Sequence, residues 1–189
     1  MSAPQSLGDK ALAHETRGIA RRELGELDAS VEDLELAVEL DQNTAAYRML
    51  AWTYRLKGEF ERAEATYTRV LKDDDHWQGW LSRCVDRTDL ERYQEAAHDC
   101  EKALRRDPEN IDALVFLAMS YNFLGDGLRA LPLAQKAIKL SPDEARHYVE
   151  LVWALHLIDK PALARLEANR ALDRFEGNSD ILHFLDATQ

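Results

Sequence analysis

Six histidines and two cysteines carry the most versatile chemistry in this chain of 189 residues, and their spacing gives them little to do with it. His14, His76, His98, His147, His156 and His183 are scattered and form no metal-ligand pattern. The acidic turn Asp73-Asp74-Asp75-His76 would attract a cation, yet it lacks the glycine and the distal glutamate of a calcium loop. Cys84 and Cys100 are too few for a disulfide framework and fall on facing positions of one hairpin, so a reduced, buried pair is expected. No G-x-S-x-G elbow, phosphate-binding P-loop, G-x-G-x-x-G fingerprint or H-E-x-x-H pair occurs. The expectation is a protein that is not an enzyme and needs no cofactor or metal.

Charge narrows the partners. Acidic residues number 35 and basic residues 24, leaving a net charge of −11. Such a surface repels phosphate backbones and anionic lipid, so no nucleic acid is expected among the partners. No run of about 18 apolar residues exists to insert in a membrane. Met1 to Lys10 lack the basic and apolar regions of a secretory signal, and a cytoplasmic location is expected. The segment Glu26 to Asp41 holds Glu26, Asp28, Glu32, Asp33, Glu35, Glu39 and Asp41 without a base. A run of this kind is either a solvated outer face or a docking stripe for a basic segment.

The elements that must position these residues are helices. Alanine and leucine supply 54 residues, while Val, Ile and Thr supply only 19. That balance favours an all-α chain. The turns Leu24-Gly25-Glu26, Lys57-Gly58-Glu59, Leu90-Glu91-Arg92, Leu124-Gly125-Asp126 and Ile158-Asp159-Lys160 recur at spacings of 33, 33, 34 and 34. Small residues recur in step with them: Ser30, Ala63, Ala96, Ala130 and Ala164, then Ala37, Val70, Ala103, Ala137 and Ala171. Each period spells two amphipathic helices around a short turn.

This pattern resembles the tetratricopeptide repeat (TPR) family. The match is fullest in the second period, at Tyr47, Leu50, Ala51, Tyr54, Ala63 and Tyr67, and in the fourth, at Leu117, Ala118, Tyr121, Ala130, Ala137 and Pro142. The resemblance implies a right-handed superhelical solenoid of five helix-turn-helix hairpins with a short C-terminal capping helix. The expected boundaries are an N-terminal tail at 1–10, repeats at 11–43, 44–76, 77–110, 111–144 and 145–178, and the cap at 179–189. Pro132 should kink its helix or delay its start. His14, Arg17 and Arg21 stand where the family prefers large apolar residues, giving the first repeat the wetter face of an end cap. Arg83 and Arg87 stand at inner positions of the third repeat. They are expected to snorkel or to pair with Asp86 or an acid on a neighbouring helix, the sharper alternative being an anion-binding spot.

In this family the first helix of each pair lines a concave surface, which places a binding groove on particular residues here. The resemblance assigns to it Arg48, Met49, Trp52, Arg55, Leu56, Val115, Phe116, Met119, Phe123, Arg146 and Trp153. The competing explanation is that neighbouring first helices pack on one another and consume part of this row. An open groove would suit an amphipathic helix or extended peptide with apolar anchors, and its arginines would favour some acid in the ligand. The family's carboxylate clamp for chaperone tails has no counterpart, because its places hold Glu15, Ile19, Met49, Gln78 and Ser82. Two functional readings result. One is an adaptor or scaffold for protein–protein interaction; the other is a dedicated client-holding chaperone, for example of a bacterial secretion or assembly system. Self-association through the groove or the C-terminal helix, around Ile181, Leu182 and Leu185, is a further possibility for the partner.

Overall fold

Capping side chains stand just ahead of several helical stretches and fix where they start. In the computed structural model of the chain, which describes residues 6–188, Ser6 accepts from the Asp9 N–H and Asp9 answers to the Ser6 N–H. This capping box starts α1 (Leu7–Glu23). Residues 1–5 of the expected tail, and Gln189, lie outside the described residues. The rest of the tail, from Leu7 to Lys10, belongs to α1, which corrects the expected start at residue 11. Asn43, Asn110 and Asn178 cap α3 (Thr44–Leu56), α7 (Ile111–Phe123) and α11 (Ser179–Ala187) in the usual side-chain-to-N–H manner.

The remaining helices are α2 (Leu27–Leu40), α4 (Phe60–Val70), α5 (Trp77–Asp89), α6 (Tyr93–Arg106), α8 (Gly127–Leu140), α9 (Ala145–Leu157) and α10 (Pro161–Arg174). The described residues contain no strand. Helix α8 starts directly at Gly127 and runs through Pro132, so the proline does not delay it.

Two compact units divide at Leu90 and Glu91, inside the expected third repeat. In the first unit α1 packs on α2, α2 on α3, α3 on α4 and α4 on α5. Its core is Val31, Leu34, Ala37 and Val38 of α2 against Ala46, Leu50 and Tyr54 of α3, with Ala63 behind. Ala63 is fully buried because a larger side chain would push its helix off α3. Within the second unit each of α6 to α11 packs on the next, and α9 also touches α7 and α11. Ala96, Ala130 and Ala164 are buried in the role that Ala63 plays. Neither Cys84 nor Cys100 is a free thiol, and both are fully buried, which corrects the expectation of a reduced pair.

The turns inside the hairpins demand a left-handed residue. Gly25, Gly58 and Gly125 supply it with φ of 80°, 77° and 75°. Glu91 and Asp159 hold the same place at φ 58° and 59°, where a Cβ is disfavoured. Glu91→Gly and Asp159→Gly are each expected to stabilise the protein by about 1 kcal/mol, read by urea denaturation.

Candidate functional site

The outward face of α3 carries five of the expected groove residues. Trp52 is 44% exposed and Leu56, one turn later, is 50% exposed. Behind Trp52 the Arg22 guanidinium lies 4.1 Å from the ring centroid. Arg22 is itself buried, donating to Met49 Sδ at 3.4 Å and to Glu23 at 2.8 Å. One face of the indole is therefore held by a fixed cation and the ring is oriented before any ligand arrives. Met49 is half-buried against the core. Arg48 lies 3.6 Å from Asp74, and Arg55 is bound by two acids, at 2.6 Å from Asp86 and 2.9 Å from Asp89.

The second unit treats its share of the row less evenly. Phe123 is 63% exposed and stacks on Tyr93 at 4.4 Å, nearly parallel. Phe116 and Met119 are half-buried on α7. Val115 is a correction: it is only 2% exposed and packs with Leu114 and Ala137, so it offers nothing to a ligand. Trp153 is half-buried, its ring edge-on to Phe184 of α11 at 5.1 Å. There the packing explanation accounts for the aromatic. Arg146 is exposed but paired with Asp112 at 2.7 Å. All three groove arginines thus have acidic partners within the chain, and none is a free attractant for an acidic ligand.

Each unit also hides a polar bridge between successive first helices, built on Arg55 in the first unit and on Asn122, at the same place of the period, in the second. Arg55 reaches Asp86, which is fully buried with one carboxylate oxygen lacking a hydrogen-bond partner. Burial pushes that carboxyl up to about 7, against the pull of Arg55 and helped by Asp89 and Glu64. Asn122 donates to the Glu150 carbonyl at 3.0 Å and to its carboxylate at 2.8 Å. Burial again dominates, and Glu150 is raised to about 7 despite that hydrogen bond, with Asp180 adding to the rise. The alternative reading of Arg83 and Arg87 as an anion site is weakened by their partners. Arg83 donates to Thr68 and Arg87 binds Glu64 at 2.8 Å. Among the described residues no cluster of three or more His, Cys, Asp or Glu is arranged to hold a metal. The acids of the turn at residues 73–75 are engaged by Arg69, Arg48 and Trp80.

Comparison with known proteins decides the family. The tetratricopeptide repeat family model matches residues 15–79 and 117–179, well over half of the chain. The chain belongs to the TPR family. Its fold is that of solved TPR structures. A MamA protein is 19% identical with a TM-score of 0.84, over 89% of this chain and 93% of that one. YrrB, described as a TPR protein with an unusual peptide-binding site, is 16% identical with a TM-score of 0.83, over 93% and 92%. A TPR protein from Parabacteroides merdae is 17% identical with a TM-score of 0.86, over 96% and 73%. At these identities the likeness is one of fold, an all-α repeat solenoid. In sequence, Sperm-associated antigen 1 of Rattus norvegicus is 34% identical over 86 residues, 46% of this chain. The TPR chain spans about a tenth of that relative's length. None of its described helices is long and apolar enough to cross a membrane.

Proposed function

We propose that this TPR chain is a protein-interaction adaptor that holds an amphipathic helix or extended peptide of a partner on its first-helix faces. The observation that carries this reading is the pair Trp52 and Leu56, two large apolar side chains half exposed on one stripe of α3. Solvation of such a stripe is unfavourable, and its cover would contribute the usual gain of buried apolar area. Phe123 on its Tyr93 stack is the corresponding exposed aromatic of the second unit. The peptide-binding site ascribed to YrrB lends the reading support by analogy of fold alone. Because Arg48, Arg55 and Arg146 already hold acids, the ligand's anchors are apolar, and an acid on the ligand would have to displace an existing ion pair.

Selection of random peptides displayed on phage against the whole chain tests this. Recovered sequences are expected to carry Leu, Ile, Phe or Trp at i, i+3 or i+4 spacing. Trp52→Ala is expected to weaken them by about tenfold or more while leaving helicity unchanged. Binding indifferent to both Trp52→Ala and Phe123→Ala would remove this face from the account.

A further inference from the structure

The side of α1 that lies along α2 carries an organised polar cluster. Asp33 of α2 is buried at 1% exposure beneath three polar side chains of α1. Arg17 grips it twice, Nε to Oδ2 at 2.8 Å and Nη2 to Oδ1 at 2.5 Å. Arg21 Nη1 reaches Oδ2 at 2.7 Å and the Ala29 carbonyl at 3.2 Å. His14 Nδ1 lies 3.0 Å from Oδ1. The bidentate Arg17 bond, above all, holds the Asp33 carboxyl down at about 2, so it stays ionised at any physiological pH. Two guanidiniums against one carboxylate leave a positive surplus on a chain of net charge −11. Arg17 Nη1 and Arg21 Nε and Nη2 have no acceptor among the described residues, and the Arg17 side chain is 56% exposed.

What would use those donors is indicated by the repeat itself. Arg21, Tyr54, Arg87 and Tyr121 occupy one position in successive repeats. Each of the last three donates to a glutamate on the second helix packed before it. Tyr54 meets Glu35 at 2.5 Å, Arg87 meets Glu64 at 2.8 Å, and Tyr121 meets Glu101 at 2.5 Å. Arg21 instead turns to Asp33 and the Ala29 carbonyl of its own hairpin, and among the described residues no second helix precedes α1 to offer it a glutamate. Leu155, the fifth member, departs from the series and donates nothing.

We propose that the His14–Arg17–Arg21 face of the first hairpin is a second binding surface, and that its occupant is a partner helix presenting glutamate to Arg21 and Arg17. This surface is independent of the apolar stripe on α3. Asp33 sets the two guanidiniums in place, so little ordering remains to be done on binding.

The test uses the whole wild-type chain and an alanine-based helical peptide with glutamates at i, i+4 and i+7. A peptide with glutamines at those places and inorganic phosphate serve as comparisons. Nuclear magnetic resonance of the arginine Nε–H groups is expected to show Arg17 and Arg21 moving with the glutamate peptide. Affinity for it should exceed that for the glutamine peptide by about tenfold, as charge-assisted bonds allow. Arg21→Gln, which leaves Asp33 held by Arg17, should lose most of that difference with helicity intact. Equal binding of the two peptides, shifts confined to other arginines, or phosphate matching the peptide would each overturn the proposal. The wild-type comparison decides the matter even if the variant folds poorly.

Discussion

Glu150→Gln is expected to stabilise the protein at pH 8, by about 2–3 kcal/mol, although it removes a side chain that makes a hydrogen bond. Burial raises this carboxyl to about 7 from its ordinary 4.5. Between those two values the folded chain keeps a proton that the unfolded chain has released, so stability falls as pH rises across the window and levels off above it. Below 4.5 both states are protonated and the penalty vanishes. Glutamine is neutral throughout and keeps an oxygen for the Asn122 amide, 2.8 Å away in the native pair. Its amide hydrogens meet an available acceptor as well, since Asn122 Oδ1 is buried without a partner. Urea denaturation at pH 5 and pH 8 reads the effect. The variant should lose part of the wild-type slope, the remainder belonging to Asp86, which titrates in the same window. Identical slopes would mean that Glu150 reaches water more freely than its burial indicates.

Gly127→Ala is expected to destabilise by about 2–3 kcal/mol, the opposite of what helix propensity says of a glycine within a helix. A Cβ there would lie 2.6 Å from the Ala154 carbonyl oxygen and 2.7 Å from Leu157 Cβ, so the start of α8 and the end of α9 would have to part. Gly8 of α1 is the internal control, because among the described residues its Cβ would meet only Ser6 Oγ at 3.8 Å. Gly8→Ala should stabilise by about 0.5–1 kcal/mol. Thermal unfolding of the two variants side by side should move the midpoint in opposite directions. A gain in both would show that α8 and α9 are less tightly apposed than described.

The hairpins were legible because small residues repeat where helices touch: Ser30, Ala63, Ala96, Ala130 and Ala164 are all fully buried. A period fixes which side of a first helix meets its own partner. It does not fix how far the next hairpin slides over the remaining surface. Hence Val115 and Trp153 looked alike in the sequence to Trp52, yet Val115 is in the core and Trp153 lies under Phe184. Charge partners are harder still, since Arg55 and Asp86 are 31 residues apart and Arg146 and Asp112 are 34 apart. Gly127 gave no signal at all, because Leu27, Phe60, Tyr93 and Pro161 hold the same place in the other repeats.

The central claim is that the exposed stripe of α3 binds and the small residues behind it fold. The direct measurement compares Trp52→Ala/Leu56→Ser with Ala63→Leu for both urea stability and capture of the selected peptides. The account predicts that the surface pair loses about tenfold or more in affinity with stability changed by less than about 1 kcal/mol, whereas Ala63→Leu loses about 1–3 kcal/mol of stability. If the surface pair unfolds the protein as severely as Ala63→Leu, Trp52 and Leu56 are packing residues and the binding face lies elsewhere.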